Sequence, residues 1–147
     1  MKNQTMNYRS IQKLTPAQID DLHTLYRREW WTKDRTKEEI EIMLEHTDFI
    51  FGLVDERERL AGFARVLSDR IFKAEIYDVI VDPAHRGRGL GKRLMEEILA
   101  HPDLRRVKQF NLQCLEEMKP FYGELGFADL SGELVYMRLG RSAGLSA

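Results

Sequence analysis

Apolar residues recur along this chain at two spacings, and the switches between them mark out its elements. Ile19, Leu22, Leu25 and Tyr26 fall three and four apart, one face of a helix, and Thr15-Pro16 ahead of them supplies an N-cap residue and a proline suited to the first helical position. Thr36 with Glu39 reads as a capping box opening a second helix, with Ile40, Met43 and Leu44 as its buried stripe. Residues 8–12 form a short strand candidate. Residues 49–54 and 60–67 are strand-like runs separated by the charged turn 55–59, which predicts a hairpin, and residues 74–81 predict a third strand of that group. Helical spacing returns with Leu90, Leu94 and Ile98 and should end near His101-Pro102, because proline disfavours the helical region for the residue before it. Residues 107–114 read as a strand, 120–125 as a helix, and 126–127 with 135–139 as two closing strands. Residues 141–147 are small and polar and read as a frayed tail.

The third strand runs straight into a glycine turn: Val79-Ile80-Val81-Asp82-Pro83-Ala84-His85-Arg86-Gly87-Arg88-Gly89-Leu90-Gly91-Lys92. Glycines let the backbone approach a ligand, and the first amides of the following helix have no intrahelical partner, so a turn of this kind binds phosphate. The spacing fits neither a dinucleotide fingerprint nor a P-loop, which needs Ser or Thr after its lysine where this chain has Arg93. A solvated turn or an arginine-glycine nucleic-acid patch remain as alternatives to a cofactor site. The order Arg86-x-x-Gly89-x-Gly91, preceded by Val81-Asp82-Pro83 and followed by Leu94-Met95, resembles the acetyl-CoA signature of the GNAT family of N-acetyltransferases. A second motif strengthens the resemblance, since Phe121-Tyr122-Gly123-Glu124-Leu125-Gly126-Phe127 matches that family's Phe/Leu-Tyr-x-x-x-Gly-Phe. The predicted order βααβββαβαββ is also the family's. The resemblance covers residues 8–139 and implies an α/β (α+β) fold, a mixed, mostly antiparallel central sheet flanked by about four helices. One departure is Leu115, where many members carry an asparagine, so no cofactor contact is carried over to that position.

Composition narrows the setting. A chain of 147 residues predicts one domain, and 43% hydrophobic with 32% charged residues is ordinary for a globular protein. A formal net charge of -1 gives no overall attraction to nucleic acid or an anionic membrane. No apolar run approaches the roughly 18 residues of a membrane span, and residues 1–10 lack a signal-peptide core, so the expected location is cytoplasmic. The single cysteine, Cys114, agrees with a reducing compartment.

Acetyl transfer to an amine requires a held thioester, a deprotonated amine, a stabilised oxyanion and a leaving thiolate. The resemblance implies that amides around residues 87–91, with Gly87, Leu90 and Lys92 in the turn, hold the pyrophosphate of acetyl-CoA while Arg86 and Arg88 add charge. It also implies that the backbone of Val79, Ile80 and Val81 pairs with the pantetheine arm, and that an amide near Val79 is the oxyanion donor. Glu75 and Asp78 are the candidate bases. Glu75 precedes Arg86 by the spacing of the catalytic glutamate in the family's histone acetyltransferases. Asp78-Val79-x-Val81 resembles a stretch of its glucosamine-phosphate acetyltransferases in which the aspartate holds substrate, with Tyr77 in place of a glutamate. In a regular strand Glu75 and Asp78 face opposite sides, so they share a pocket only if a bulge resets the alternation, and the resemblance implies such a bulge in this strand. A surface carboxylate is the alternative for Glu75.

Tyr122 is the candidate proton donor to the thiolate, with a packing tyrosine as the alternative. Cys114 is expected to be a small buried residue, although an acetyl-cysteine is conceivable. His23, His46, His85 and His101 show no metal-ligand spacing, so no metal is assigned. In the family the connection between the first two helices covers the acceptor, and here it offers Tyr26, Trp30, Trp31 and Arg35. An aromatic wall holding an amine by cation–π contact competes with tryptophans that anchor the helix or a homodimer contact. A small-molecule amine, an amino sugar and a peptide amine stay open as acceptors. A non-catalytic acyl-CoA-binding regulatory module is the alternative to an enzyme.

Overall fold

The computed structural model describes residues 7–141. Two helices follow the first strand, β1 (Arg9–Ile11), and both begin where the caps predict. In α1 (Pro16–Arg27) and α2 (Lys37–Glu45), Thr15 with Gln18 and Thr36 with Glu39 close reciprocal capping boxes. Strands β2 (Phe49–Val54), β3 (Leu60–Ser68) and β4 (Lys73–Val81) form an antiparallel meander with β1 on its outer side. A 3-10 turn at Pro83–His85 and the glycine turn lead to α3 (Leu90–Leu99), which crosses over to β5 (Gln109–Asn111), parallel to β4. The sheet order is β1-β2-β3-β4-β5.

The two faces of the sheet are covered by different helices. Leu22, Tyr26 and Ile40 of α1 and α2 pack with Val54, Phe63 and Ile80 in one apolar cluster. On the alternate positions, Gly62 admits α3 so closely that a Cβ there would lie 3.3 Å from Leu94. That alternation is what lets β3 be buried on both faces.

The chain divides into two compact units, one ending at Leu112 and the other beginning at Gln113. The second contains α4 (Lys119–Glu124), preceded by a 3-10 turn at Glu116–Met118. Tyr122 is buried there, its ring edge-on to Phe121 and Phe127. The predicted closing strands are a correction: among the described residues, 126–127 and 135–139 form no strand, and this unit has only an isolated bridge between Ser131 and Leu134. Val135 is 84% and Met137 85% exposed. β-propensity alone does not make a strand, because the backbone groups need a neighbouring ladder to pair with. The strand expected over 107–114 likewise shrinks to Gln109–Asn111. Of the expected tail 141–147, residues 142–147 lie outside the described residues.

Candidate active site

Strand β4 carries most of the site in the first unit. Its first residues, Lys73, Ala74 and Glu75, pair with Gln109, Phe110 and Asn111, and β5 ends there. Beyond that point the same edge of β4 has no strand beside it among the described residues of this unit, which leaves Val79, Ile80 and Val81 along an open edge. The ladder to β3 also breaks within this stretch. The register passes from Arg65↔Tyr77 to Phe63↔Ile80, so two residues, Asp78 and Val79, oppose Ala64 alone. This is a bulge, and Asp78 adopts φ +57° in it, a left-handed conformation that aspartate tolerates better than most residues.

The bulge decides the question of faces. Glu75 lies opposite Leu67 and Tyr77 opposite Arg65, so both share the Arg65 face of the sheet. Past the extra residue, the Asp78 carboxylate reaches the same face and accepts from Arg65 Nε at 2.8 Å. Glu75 and Asp78 therefore stand on one side, and their surroundings differ. Asp78 Oδ2 also accepts from the Tyr26 hydroxyl at 2.8 Å and from Arg35 at 2.7 Å. Burial alone would raise the Asp78 pKa, but the hydrogen bonds and charges of Arg35 and Arg65 outweigh it and hold the carboxyl below its usual range. Burial, reinforced by Asp78, pushes the Tyr26 hydroxyl far above its ordinary value. Glu75 instead accepts one bond, from Asn111 Nδ2 at 2.6 Å across the parallel pair.

In front of this cluster lies a cavity of about 360 Å³ lined by Arg35, Glu39, Met43 and Arg65. Two guanidiniums of its lining lie over tyrosine rings beside it, Arg35 over Tyr26 at 4.7 Å and Arg65 over Tyr77 at 4.9 Å. Of the predicted acceptor residues, Arg35 lines this cavity and meets Tyr26 in the Asp78 cluster behind it. Trp30, 70% exposed, and Trp31, 40% exposed, are not among the lining residues.

At the far end of β4, Gly87 and Gly89 take φ +81° and +78°, and a Cβ on either would meet nothing within 4 Å. Left-handed backbone, not crowding within the protein, is what requires glycine there. Gly89 is the N-cap of α3 and offers no side chain to the helix, whose amides at Leu90, Gly91 and Lys92 precede the first intrahelical bond, Arg93 N–H to Gly89 O. The Leu90 side chain is buried, so only its amide is available to a ligand. Around this opening, Arg86 donates to Val81 O at 3.3 Å and pairs with Glu29 at 3.4 Å, and Arg88 donates to the Tyr8 hydroxyl at 3.4 Å. Lys92 lies 3.9 Å from Glu96. An uncapped helix start ringed by cations fits a pyrophosphate.

In the second unit, burial and the neighbouring Cys114 push the Tyr122 hydroxyl up to about 12. Cys114 is exposed, which corrects the expectation of a buried residue, and desolvation raises its thiol pKa. Sequence reasoning missed Arg65, Glu39, Met43 and Asn111. Arg65 had a visible signal, the lone charge within the apolar run Leu60-Ala61-Gly62-Phe63-Ala64-Arg65-Val66-Leu67. Asn111 had none, because only the crossover sets it opposite Glu75.

Comparison with known proteins places this geometry. The family described as Acetyltransferase (GNAT) matches residues 17–127. The chain is 32% identical over 110 residues to the chloroplastic GCN5-related N-acetyltransferase 1 of Arabidopsis thaliana, covering 74% of this chain and 55% of that protein. A Xanthomonas campestris protein of the GNAT family superposes with a TM-score of 0.78 at 29% identity, over 90% of this chain and 94% of that one. Glucosamine-6-phosphate N-acetyltransferase from Arabidopsis thaliana superposes with a TM-score of 0.71, over 92% and 99% of the two chains. Its 22% identity speaks for the fold alone. The chain spans between 32% and 57% of the length of the first curated relatives it matches.

Proposed function

We propose that this chain, which belongs to the GNAT acetyltransferase family, moves an acetyl group from acetyl-CoA to a primary amine by direct attack with both substrates bound. The observation that carries the reading is the continuity of β4. One strand offers an open, bulged edge at Val79 to Val81 and then ends in an uncapped helix start with left-handed glycines. A thioester arm laid along that edge and a pyrophosphate on the turn belong to the same ligand.

Acetyl-CoA, when bound, supplies an activated acyl group on a thiol leaving group. The amides of Leu90, Gly91 and Lys92, with Arg86 and Arg88, hold its phosphates, and the bulge presents backbone N–H near Val79 to the thioester oxygen. Of the two carboxylates, Glu75 is the better proton acceptor. Asp78 already spends its oxygens on three donors and is held ionised by two arginines, so taking up a proton would cost those bonds. Glu75 keeps lone pairs free and is oriented by Asn111. An amine of pKa about 10 is protonated at neutral pH, so its proton must leave before attack. The Tyr122 hydroxyl, with a pKa raised to about 12, stays protonated and serves as a donor to the departing thiolate. It acts through a hydrogen bond more than through full proton transfer, because a weaker acid gives up its proton less readily.

The test is release of free thiol from acetyl-CoA across a panel of small amines, amino sugars and peptides. Turnover with intersecting initial-velocity lines is expected. Coenzyme A protection against melting without turnover on any amine would make the chain a binding module instead. Tyr122→Phe should lower kcat by roughly ten- to a thousandfold while coenzyme protection persists. Parallel velocity lines together with acetylated Cys114 in a mass spectrum would replace direct attack by a covalent route.

A further inference from the structure

The cavity in front of Asp78 has a polarity that its place in the site does not by itself require. An amine-binding pocket usually offers carboxylates or open aromatic faces to an ammonium. Here no aromatic ring lines the cavity, the neighbouring Tyr26 and Tyr77 each lie under an arginine, and the lining sets two arginines against one carboxylate, Glu39. Under them lies a single buried carboxylate, Asp78, whose side chain is 5% exposed. Arg35 turns its terminal nitrogens to it, at 2.7 Å and 3.5 Å. Arg65 gives it only Nε, at 2.8 Å, and its guanidinium lies over the Tyr77 ring. The terminal edge of Arg65, the fork that would take two oxygens, has no partner among the described residues. No fully buried side-chain nitrogen or oxygen among them lacks a partner, so that edge is open to the cavity.

We infer that the acceptor carries an anionic group, a carboxylate or a phosphate, which docks on the terminal edge of Arg65 with Arg35 beside it. The inference rests on the acetyl-transfer reading and adds the class of acceptor: an amino acid, an amino sugar phosphate or another small amine bearing an oxyanion. The depression, about 360 Å³ and open to solvent, has room for a small molecule. Glu39 is the opposing charge on the wall. One of its oxygens accepts the Thr36 amide at 2.9 Å, and its negative charge steers an anion toward Arg65 and away from α2.

Anion binding can be read without turnover by calorimetric titration of coenzyme A-saturated protein, with inorganic phosphate in one arm and succinate in the other. One of the two anions should bind, and the arm that responds names the source. Arg65→Gln should weaken that binding by about tenfold or more, as expected for losing a charge-assisted pair, without changing protection by coenzyme A. Should this variant fail to fold, Glu39→Gln decides: glutamine keeps the capping box, removes the opposing charge, and should tighten the same anion severalfold. Absence of binding in the wild type, an unchanged affinity in Arg65→Gln, or no tightening in Glu39→Gln would overturn the inference. In thiol-release assays, alanine should exceed alaninamide, or glucosamine 6-phosphate exceed glucosamine, by roughly ten- to a hundredfold. Turnover confined to uncharged or polycationic amines defeats this inference and leaves acetyl transfer standing; loss of both turnover and coenzyme A protection defeats acetyl transfer itself.

Discussion

The glycine turn and the Asp78 cluster belong to the same stretch of chain and are built from opposite materials. The turn uses backbone: left-handed glycines and uncapped amides form its opening, and its exposed cations are held around it by pairs such as Arg86–Glu29 and Arg88–Tyr8. The cluster uses side chains from four elements, Tyr26 of α1, Arg35 ahead of α2, Arg65 of β3 and Asp78 of β4, converging on one carboxylate oxygen. A backbone site tolerates changes around it but not in its conformation. A side-chain cluster fails when its central carboxylate is lost, because both arginines then face each other without compensation.

The largest expected effect follows from that contrast. Asp78→Ala leaves two guanidiniums facing each other, Arg65 at only 13% exposure, and should lower unfolding free energy by about 3–5 kcal/mol in urea titration. A loss under about 1 kcal/mol would mean that solvent already screens the cluster. At the turn, Gly89→Val should cost only about 1–2 kcal/mol of stability, the penalty for an L-residue in left-handed backbone, since nothing lies within 4 Å of the Cβ it adds. Its main effect should be functional: the melting-temperature rise produced by coenzyme A disappears, because the branched side chain fills the space a phosphate would need. A full rise in that variant would separate the turn from coenzyme binding.

Acid titration reads the Asp78 carboxylate directly. Asp78 has a folded pKa below its unfolded value of about 3.9, so its contribution is fully present above that value and is lost as pH falls through the lower, folded one. The stability difference between wild type and Asp78→Asn should thus be constant from neutrality to about pH 5 and shrink below about pH 4. A difference that shrank near neutral pH would require another titrating group. The smallest effect belongs to the aromatic connection. Trp30→Ala should change stability by less than about 0.5 kcal/mol and the amine KM by no more than about twofold, because Trp30 is exposed and does not line the cavity. A tenfold rise in KM would bring the tryptophan into the acceptor site.

Local signals determined what the sequence alone could reach. Capping residues Thr15 and Thr36, the apolar runs of the meander and the strand-turn-helix at Gly87 to Gly91 each lie within a dozen residues, where periodicity and backbone preference act directly. The order of elements from β1 to α4 followed, and with it the family resemblance. Residues 135–139 show the limit of such signals, since a strand pattern without a partner edge produced no strand there. The resemblance implied a bulge in β4; tertiary structure alone decided which side chains meet around it. A one-residue bulge between β3 and β4 turned Asp78 to the face that also holds Glu75, and gave Asp78 to Arg35 and Arg65 from 43 and 13 residues away. Asn111 reached Glu75 only through the parallel crossover. Whether a carboxylate is free to take a proton depends on such distant donors, and no local pattern of the chain encodes their arrival.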